Sequence, residues 1–400
     1  MTSEVMEPAI STADAPASRS AGRPALIYVL NGAPFFLSHR LALAQAAQQR
    51  GFAIHVAAPG NELAAKIETF GFKYHEIPLS RKGSNPAEEF ATLRALIRLY
   101  KNIRPGLVHH LTIKPVLYGT LAARLTSVPS VINAVTGMGH IFTASGARAA
   151  VLREAVKTAY RVLLNHSNSR VIFQNPDDQR EFNASRLIPP ERGVLIRGSG
   201  VDVNVFSPRP EAHGVPVVLF AGRLIWEKGV REFVDAAALL KNRGVRVRFV
   251  IAGESDEGNP GTVPTAELKR WHDEKLVEWW GRRDDMPDVF AQSHIVCFPS
   301  FYREGIPKVL IEAAACGRPI VTTDSPGCRE AVRDGVSGML VRPRSASEVA
   351  RALEVLLDDA ELRQRMGAAG RELALRDFAL NKIIAQTLEV YDEVLIHARR

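Results

Sequence analysis

The chain has 400 residues, a hydrophobic fraction of 46% and a formal net charge of +8. This length exceeds what a single core usually holds, so we expect two domains. Apolar runs stay short of the roughly 18 residues that a transmembrane helix needs, and three cysteines without a C-x-x-C pair argue against a zinc site or disulfide framework and favour a reducing cytoplasm.

The N-terminal residues 1–22 are rich in Ala, Ser and Pro. They lack the basic start and apolar centre of a signal peptide, so we expect a disordered tail. The excess of positive charge falls in residues 1–200, whereas residues 201–400 are close to neutral. A basic first half suggests an anionic partner, either nucleic acid or a membrane surface, although an ordinary solvated surface gives the same pattern.

Apolar runs alternate with amphipathic stretches through the first half, and this pattern predicts an α/β domain with a parallel sheet. Strands are predicted at residues 25–30, 53–58, 107–111, 130–134 and 170–174, with a short run at 194–196 that could close the sheet. Helices are predicted at residues 37–50, 61–70, 86–102, 116–125 and 149–165. These elements define a first domain over residues 23–197.

Residues 197–215 have the composition of a linker, and a second alternating set follows them. Strands are predicted at 217–221, 247–252, 276–280, 295–299, 320–323 and 338–341, and helices at 230–241, 265–273, 286–292, 307–316, 328–334 and 347–357. This second domain spans residues 202–378, and the last helices are predicted at 360–374 and 381–397. Two doubly wound, Rossmann-like domains joined by a hinge place a ligand in the cleft between them.

The segment from Arg303 to Glu312 carries two carboxylates, Glu304 and Glu312, separated by seven residues. Pro307 suits the first position of a helix, because its missing N–H costs nothing there. Glu304 would then lie in a loop at the helix mouth, with Glu312 further along the helix. A helix N-terminus attracts phosphate, and carboxylates accept hydrogen bonds from sugar hydroxyls. The segment therefore predicts a nucleotide-sugar site. The alternative is that the spacing of the two carboxylates is a coincidence.

A second candidate lies after the predicted strand 217–221, where Gly222 permits close approach of the backbone to a ligand. Arg223 and Lys228 flank this loop and could neutralise a diphosphate. The alternative is that both are surface cations at a strand–helix junction.

Strand ends in the first half supply candidates for contact with an acceptor, although each could equally be a structural residue of a turn or core. They are Gly32, Ser38 and His39 after the first strand, His109, His110 and Lys114 around the strand 107–111, and Gly137 and His140 after the strand 130–134. A basic stripe of Arg94, Arg98 and Lys101 on one helix is either solvated or meets anionic lipid headgroups.

Several other chemistries lack their motifs. There is no G-x-x-x-x-G-K-[ST], no G-x-S-x-G, no H-E-x-x-H and no G-x-G-x-x-G after the first strand. No Asp-x-Asp follows a strand, so we expect no catalytic metal. Aromatic residues are few and do not interleave with the basic stripe, which disfavours nucleic-acid binding.

The motifs Gly222-Arg223 with Lys228-Gly229, Glu304 with Glu312, Gly317-Arg318-Pro319 and Gly335-Val336-Ser337-Gly338 occur in an order that resembles the retaining glycosyltransferases of family four. That resemblance implies the GT-B fold of two Rossmann-like domains. The segments 35–40 and 112–119 resemble a bacterial subgroup that adds sugars to lipid-linked intermediates of surface polysaccharides or protein glycans.

The resemblance also implies roles. Arg223 and Lys228 would bind the donor diphosphate, Glu304 the hydroxyls of the donor sugar, and Glu312 the ribose. The backbone of Gly305, Ile306 and Pro307 would bracket sugar and phosphate, Gly281 and Arg282 would face the nucleobase, and helix 381–397 would complete the first domain. The family often has His-x-His at a strand end. Here His109 and Leu111 match with His110 between them, so either His110 takes the catalytic role or no imidazole is needed.

Together these expectations describe transfer of a hexose or N-acetylhexosamine from a UDP-sugar to a polyprenyl-diphosphate-linked sugar, with retention at the anomeric carbon. The donor UDP-sugar would be the only nucleotide required, with no metal and no further cofactor. The enzyme would lie peripherally on an anionic membrane, at the cytoplasmic face of the plasma membrane. Alternatives are a nucleotide-sugar epimerase of the same fold and a non-catalytic membrane-surface partner in a glycan assembly complex.

Overall fold

The computed structural model describes residues 24–80, 85–138, 146–165, 168–256 and 259–398. Within these ranges the chain forms two parallel sheets flanked by helices, which is the predicted α/β class. The predicted tail 1–22 and the candidate His140 lie outside the described residues. No described helix combines the length and hydropathy needed to cross a bilayer.

The first sheet has seven strands in the order β3-β2-β1-β4-β5-β6-β7. Its strands are β1 Ala25–Val29, β2 Ala53–Ala58, β3 Lys73–Glu76, β4 Leu107–Leu111, β5 Val131–Val135, β6 Ser169–Phe173 and β7 Gly193–Leu195. Its helices are α1 Ala33–His39, α2 Leu41–Gln49, α3 Ala64–Glu68, α4 Pro86–Ile103, α5 Ile113–Leu125, α6 Ala147–Leu163 and α7 Pro176–Ala184, and a 3₁₀ turn spans Pro190–Arg192.

The second sheet has six strands in the order β10-β9-β8-β11-β12-β13. Its strands are β8 Val217–Ala221, β9 Arg248–Ala252, β10 Glu278–Gly281, β11 Ile295–Phe298, β12 Ile320–Thr323 and β13 Gly338–Val341. Its helices are α8 Val230–Asn242, α9 Thr265–Asp273, α10 Met286–Ala291, α11 Lys308–Ala315, α12 Ala346–Asp358 and α13 Ala360–Leu373, with 3₁₀ turns at Trp226–Lys228 and Arg329–Ala331. A π-helical turn, Ala374–Phe378, leads into the last helix, α14 Leu380–Ala398.

The last helix returns to the first sheet. Ile383, Leu388 and Tyr391 are buried in the same apolar cluster as β1, β2, α1 and α2. Side-chain contacts fix the crossing, because the Asn168 amide donates to the Val394 carbonyl at 2.8 Å. The first domain is therefore built from residues at both ends of the described chain.

Strand order reverses between β1 and β4 in the first sheet and between β8 and β11 in the second. In doubly wound sheets, ligands bind at the carboxyl ends of strands beside such a reversal. The loops that follow these four strands contain most of the predicted site residues.

One strand was not predicted, and two predicted helices differ from the structure. The edge strand β3, with sequence Lys-Tyr-His-Glu, was not predicted because it is half exposed and has no apolar run. The predicted helix 37–50 is two helices, since Arg40 has the non-helical angles φ −131° and ψ −10°. The predicted helix 328–334 is only a 3₁₀ turn, because Val332 is extended at φ −135° and ψ 136°.

Candidate active site

The carboxyl edges of the two sheets meet across a cleft. The loop after β11 carries Glu304, Gly305 and Ile306, and helix α11 starts directly behind it at Lys308. Pro307 is the extended residue that precedes α11 and not its first helical residue, a shift of one position from the prediction. Lys308 bridges the cleft, because its Nζ donates to the Ser38 carbonyl of the first domain at 2.8 Å.

Glu304 and Lys228 form an ion pair at the centre of this arrangement. Lys228 Nζ lies 2.9 Å from Glu304 Oε1, and the two side chains are only 11% and 13% exposed. Lys228 also lies over the Phe298 ring, 5.1 Å from its centroid. The predictions assigned the lysine to a diphosphate and the glutamate to sugar hydroxyls, and the structure brings both groups to one point.

Arg223 pairs with a carboxylate that the sequence reasoning missed. Its Nη1 lies 2.7 Å from Asp256 Oδ2 in the loop after β9, and half of the Arg223 side chain is exposed. The β8 and β9 loops are close because Gly253 has no side chain, since a Cβ there would lie 2.0 Å from the Gly222 carbonyl oxygen. Arg223 thus remains accessible to an anion in the cleft.

Glu312 projects from α11 and is nearly buried, with 8% of its surface exposed. Burial raises the pKa of its carboxyl above the usual value, and the nearby Lys308 acts in the opposite direction. Lys308 Nζ lies 3.3 Å from Glu312 Oε1. Glu312 can accept hydrogen bonds from hydroxyls only on the face that Lys308 leaves open.

Gly281 is the last residue of β10, and Arg282 follows it. The Gly281 carbonyl accepts a hydrogen bond from the Gly253 amide at 2.7 Å, so this loop lies beside the β8 and β9 loops. Arg282 is largely exposed and its Nε lies 3.3 Å from Asp284. Both residues therefore lie beside the loops that carry Arg223 and Asp256.

On the first domain, α1 presents Ser38 and His39 to the cleft. The Ser38 hydroxyl lies 2.7 Å from His39 Nδ1, and the His39 ring stacks on Phe35 with centroids 4.5 Å apart. Desolvation, followed by the positive charge of Lys308, lowers the pKa of His39 to about 3. His39 is therefore a neutral imidazole near pH 7. Gly32 directly precedes α1, where it adopts extended angles.

His110 does not line the cleft, and its surroundings do not support the predicted catalytic role. The residue is fully buried, with Nδ1 2.8 Å from Asn133 Oδ1 and Nε2 2.9 Å from the Tyr100 hydroxyl. A Cβ on Gly119 would lie 2.4 Å from the ring, so the imidazole is enclosed on that side. Both ring nitrogens serve the core of the first domain.

His109 and Lys114 have different surroundings. His109 is buried with Nδ1 2.6 Å from the Tyr391 hydroxyl, and its Nε2 has no hydrogen-bond partner among the described residues. Lys114 Nζ donates to the Ser80 carbonyl and pairs with Glu89. The charge of Lys114 is thus matched within the first domain, which does not support its predicted contact with an acceptor.

The two domains touch at glycines. A Cβ on Gly137 would lie 2.6 Å from both the Arg303 carbonyl oxygen and the Gly305 nitrogen, so the loop after β5 abuts the Glu304 loop. A Cβ on Gly305 would lie 2.0 Å from Gln174 Oε1. Gly137 was predicted to contact an acceptor, and here it provides close contact between domains.

A polar cluster missed by the sequence reasoning holds the Glu304 loop from the opposite domain. The Asn175 amide donates to the Glu304 and Gly305 carbonyls, each at 3.0 Å. The buried Asp178 carboxylate lies 3.1 Å from Arg303 Nη2. Burial raises the pKa of Asp178 to about 6, although Arg303 and Asn175 oppose this shift. The available signal was Asn-Pro-Asp-Asp after β6, in which Asn175 caps helix α7.

The described ranges contain no group of three or more His, Cys, Asp or Glu side chains that could hold an ion. The cleft presents cations, two carboxylates and the N-terminus of α11 to a ligand.

Residues 26–175 match the family model described as glycosyl transferase 4-like, and residues 215–359 match the one described as glycosyl transferases group 1. Together the two models span most of both domains. The chain belongs to these glycosyltransferases and has the GT-B fold.

The chain is similar to other sugar transferases. It is 26% identical, over 90% of its length and 98% of the relative's, to the N,N'-diacetylbacillosaminyl-diphospho-undecaprenol alpha-1,3-N-acetylgalactosaminyltransferase of Campylobacter jejuni. Among solved structures, a glycosyltransferase from Rickettsia africae aligns with a TM-score of 0.76 at 17% identity, covering 93% of this chain and 99% of that one. Anabaena HepE, solved with UDP and glucose, aligns with a TM-score of 0.73 at 19% identity, covering 92% and 99% of the two chains.

Proposed function

We propose that this glycosyltransferase moves a hexose or N-acetylhexosamine from a UDP-sugar to a hydroxyl of a polyprenyl-diphosphate-linked sugar, with retention at the anomeric carbon. The observation that carries the proposal is the Lys228–Glu304 pair, 2.9 Å apart, beside the N-terminus of α11. The name of the Campylobacter relative, with its diphospho-undecaprenol acceptor, supports the acceptor class.

Donor binding would redistribute the charges at this pair. A diphosphate between the α11 N-terminus, Arg223 and Lys228 would attract the Lys228 ammonium, because the diphosphate carries more negative charge than the Glu304 carboxylate. Glu304 would then be free to accept hydrogen bonds from hydroxyls of the donor sugar. Glu312, deeper on α11, would accept from the ribose.

The chemical step breaks the bond between the anomeric carbon and the diphosphate oxygen and forms a bond from that carbon to the acceptor oxygen. We favour attack on the same face as the departing group, with the leaving phosphate taking the acceptor's proton. Arg223, Lys228 and the α11 N-terminus would stabilise the departing diphosphate, since preorganised charges of this kind often give the largest share of rate enhancement. His110 has no part in this scheme.

A peripheral position at the inner face of the plasma membrane completes the proposal. Helices that precede parallel strands have their N-termini at the carboxyl edge, so the starts of α4 and α6 lie near the cleft. There α4 exposes 66% of Phe90 and α6 exposes 71% of Val151. Arg94 and Arg98 are exposed further along α4. Exposed apolar and basic side chains on one surface suit an anionic bilayer.

Purified protein incubated with a panel of UDP-sugars, with and without a short-chain polyprenyl-diphosphate-linked sugar, tests the reaction. UDP release and a lengthened saccharide are expected only with the acceptor present, and the coupling constant at the new anomeric carbon reports retention. Conversion of the UDP-sugar into an epimer without acceptor would instead show an epimerase. No turnover, together with unchanged cellular glycan in Glu304→Gln, would indicate a non-catalytic partner.

Sedimentation with vesicles tests the membrane contact. Wild type should bind vesicles rich in phosphatidylglycerol more than neutral ones, and Arg94→Glu with Arg98→Glu should abolish the difference. Equal binding by both proteins would remove this surface from the proposal.

A further inference from the structure

A small cavity lies in the first domain, lined by both polar and apolar side chains. Arg40, His109, Gln174 and Gly198 line it, together with apolar side chains from the sheet and α14. The Glu304 loop covers its rim, because Gln174 abuts Gly305 and a Cβ on Gly198 would lie 3.5 Å from Ile306. The cavity therefore adjoins the donor-binding loop but belongs to the opposite domain.

Arg40 is buried in this cavity without a counter-charge. Only 6% of its surface is exposed, and its Nη1 donates to the His39 carbonyl at 3.1 Å. Its Nε has no hydrogen-bond partner among the described residues. No carboxylate in the described part of the chain comes within the 4.0 Å of an ion pair with it. Burial accordingly lowers the pKa of the Arg40 guanidinium.

The other two buried arginines of the described chain show how unusual this is. Arg318 donates to the backbone carbonyls of Phe290 and Arg209 at 3.0 and 2.9 Å. Arg363 is held by both carboxylate oxygens of Glu211, each at 3.1 Å. A buried charge is tolerated when it is paired with a carboxylate or held by several hydrogen bonds. Among the described residues, Arg40 alone of the three has a single hydrogen bond and no carboxylate partner.

A second unsatisfied group faces the same space. His109 is 1% exposed, and its Nε2 is without a partner among the described residues. Burial first, and then the charge of Arg40, keeps the pKa of His109 well below 6.5. The ring is thus neutral and adds a hydrogen-bonding position beside the guanidinium without adding charge.

We propose that this cavity binds a phosphate oxygen of the acceptor substrate, with Arg40 as its charge partner and His109 and Gln174 as polar contacts. The assignment to the acceptor rests on the proposed function, in which Arg223 and Lys228 of the second domain serve the donor diphosphate. A bound phosphate oxygen would supply the negative charge that Arg40 lacks. The unpaired guanidinium then destabilises the unliganded protein and favours binding of the phosphate.

The stability of the unliganded protein gives the first test, because it requires no substrate. Arg40→Met keeps most of the side-chain volume but removes the charge, so its thermal midpoint should equal or exceed that of wild type. The matched variant Arg363→Met breaks the pair with Glu211 and should lower the midpoint by several degrees. If the thermal midpoint of Arg40→Met falls as far as that of Arg363→Met, Arg40 is a structural residue and the proposal is overturned.

Calorimetry with farnesyl diphosphate and with UDP gives the second test. Farnesyl diphosphate should bind wild type, and Arg40→Met should weaken it about ten- to hundredfold, the usual effect of losing a charged hydrogen bond. Arg40→Lys should recover part of this loss, and UDP affinity should be unchanged in both variants. Unaltered farnesyl diphosphate affinity, or an equal loss of UDP affinity, would overturn the acceptor assignment. Failure of wild type to bind any UDP compound would instead refute the proposed function, leaving the stability comparison to decide the role of Arg40.

Discussion

Arg303 of the second domain reaches across the cleft to Asp178 of the first, with Nη2 3.1 Å from Oδ1 of a carboxylate that is fully buried. Arg303 directly precedes Glu304, and Asn175 of the first domain donates to the Glu304 carbonyl. The backbone that presents Glu304 is therefore held by side chains of the other domain. In this geometry, contact between the two domains and placement of the Glu304 carboxylate are coupled.

Asn175→Ser tests this coupling. Serine can still cap helix α7 but cannot reach the Glu304 and Gly305 carbonyls, so the helix should persist while the cross-domain bonds are lost. We expect the KM for the UDP-sugar to rise about tenfold, as for one or two lost hydrogen bonds, with little change in thermal midpoint. Asn85→Ala, which removes the cap of α4, is the control and should lower stability without affecting KM. Unchanged donor kinetics in Asn175→Ser would show that the amide does not position the loop.

The contribution of Asp178 to the free energy of unfolding depends on pH with a sign that is unusual for an aspartate. Its pKa of about 6 in the folded state exceeds the ordinary value of 3.8, so the folded protein holds this proton more tightly than the unfolded chain between these values. Its contribution to the free energy of unfolding therefore falls as pH rises through that window, by about 3 kcal/mol in total. We would measure the free energy of unfolding in urea at about pH 4.5 and about pH 7 for wild type and for Asp178→Asn. Between the lower and the higher pH, the wild-type value should fall relative to that of Asp178→Asn. A relative gain would contradict the assigned pKa shift.

Lys228→Met should impair the chemical step. It removes the ammonium that is proposed to stabilise the departing diphosphate, and we expect kcat to fall roughly 10²- to 10³-fold, as for loss of one preorganised charge contact. Arg223→Met should act in the same direction. Circular dichroism should show an intact fold in both variants. Arg282→Met, a change at an exposed residue, is the control and should reduce kcat less. Near-normal turnover in Lys228→Met would reject the role of Lys228 in stabilising the departing diphosphate.

Gly305→Ala should interfere with closure. Its added methyl would lie 2.0 Å from Gln174 Oε1 and 2.9 Å from the Thr136 carbonyl oxygen. The glutamine amide and the β5 loop must then move away, so both KM for the donor and kcat should worsen. Gly106→Ala, whose methyl would meet nothing closer than 3.6 Å, should be close to neutral in the same assays. Equal kinetics for the two variants would show that contact at Gly305 is dispensable.

His110→Ala separates a structural from a catalytic histidine. The change leaves the Tyr100 hydroxyl and Asn133 side chain without their buried partner, and we expect a loss of about 2–4 kcal/mol in the free energy of unfolding. The kcat of the protein that remains folded should match wild type at a temperature well below its midpoint. A large fall in kcat without loss of stability would restore His110 to the reaction.

Sequence reasoning was most reliable where a local pattern dictates the structure. Alternating apolar strands and amphipathic helices predicted both parallel sheets. The Arg303–Glu312 segment predicted a loop, a helix, one carboxylate at the helix mouth and a second further along the helix. The edge strand β3 was not predicted, because its side chains are half exposed and form no apolar run.

Contacts between distant segments could not be predicted from the sequence. The contact of Arg223 with Asp256 and that of Asn175 with the Glu304 loop depend on how the sheets and domains meet, which no local spacing encodes. Likewise, alternation along β4 shows that His109 and His110 point to opposite faces of the sheet, but not which face leads to the cleft.

The return of helix α14 to the first sheet has a consequence for biosynthesis. Tyr391 and Val394 belong to the apolar cluster that covers one face of β1 and β2, yet they emerge from the ribosome after the entire second domain. Until then that face has no cover from its final helix, although domains usually fold in the order in which they are translated. The first domain should thus reach its native state last, when the second domain is already folded.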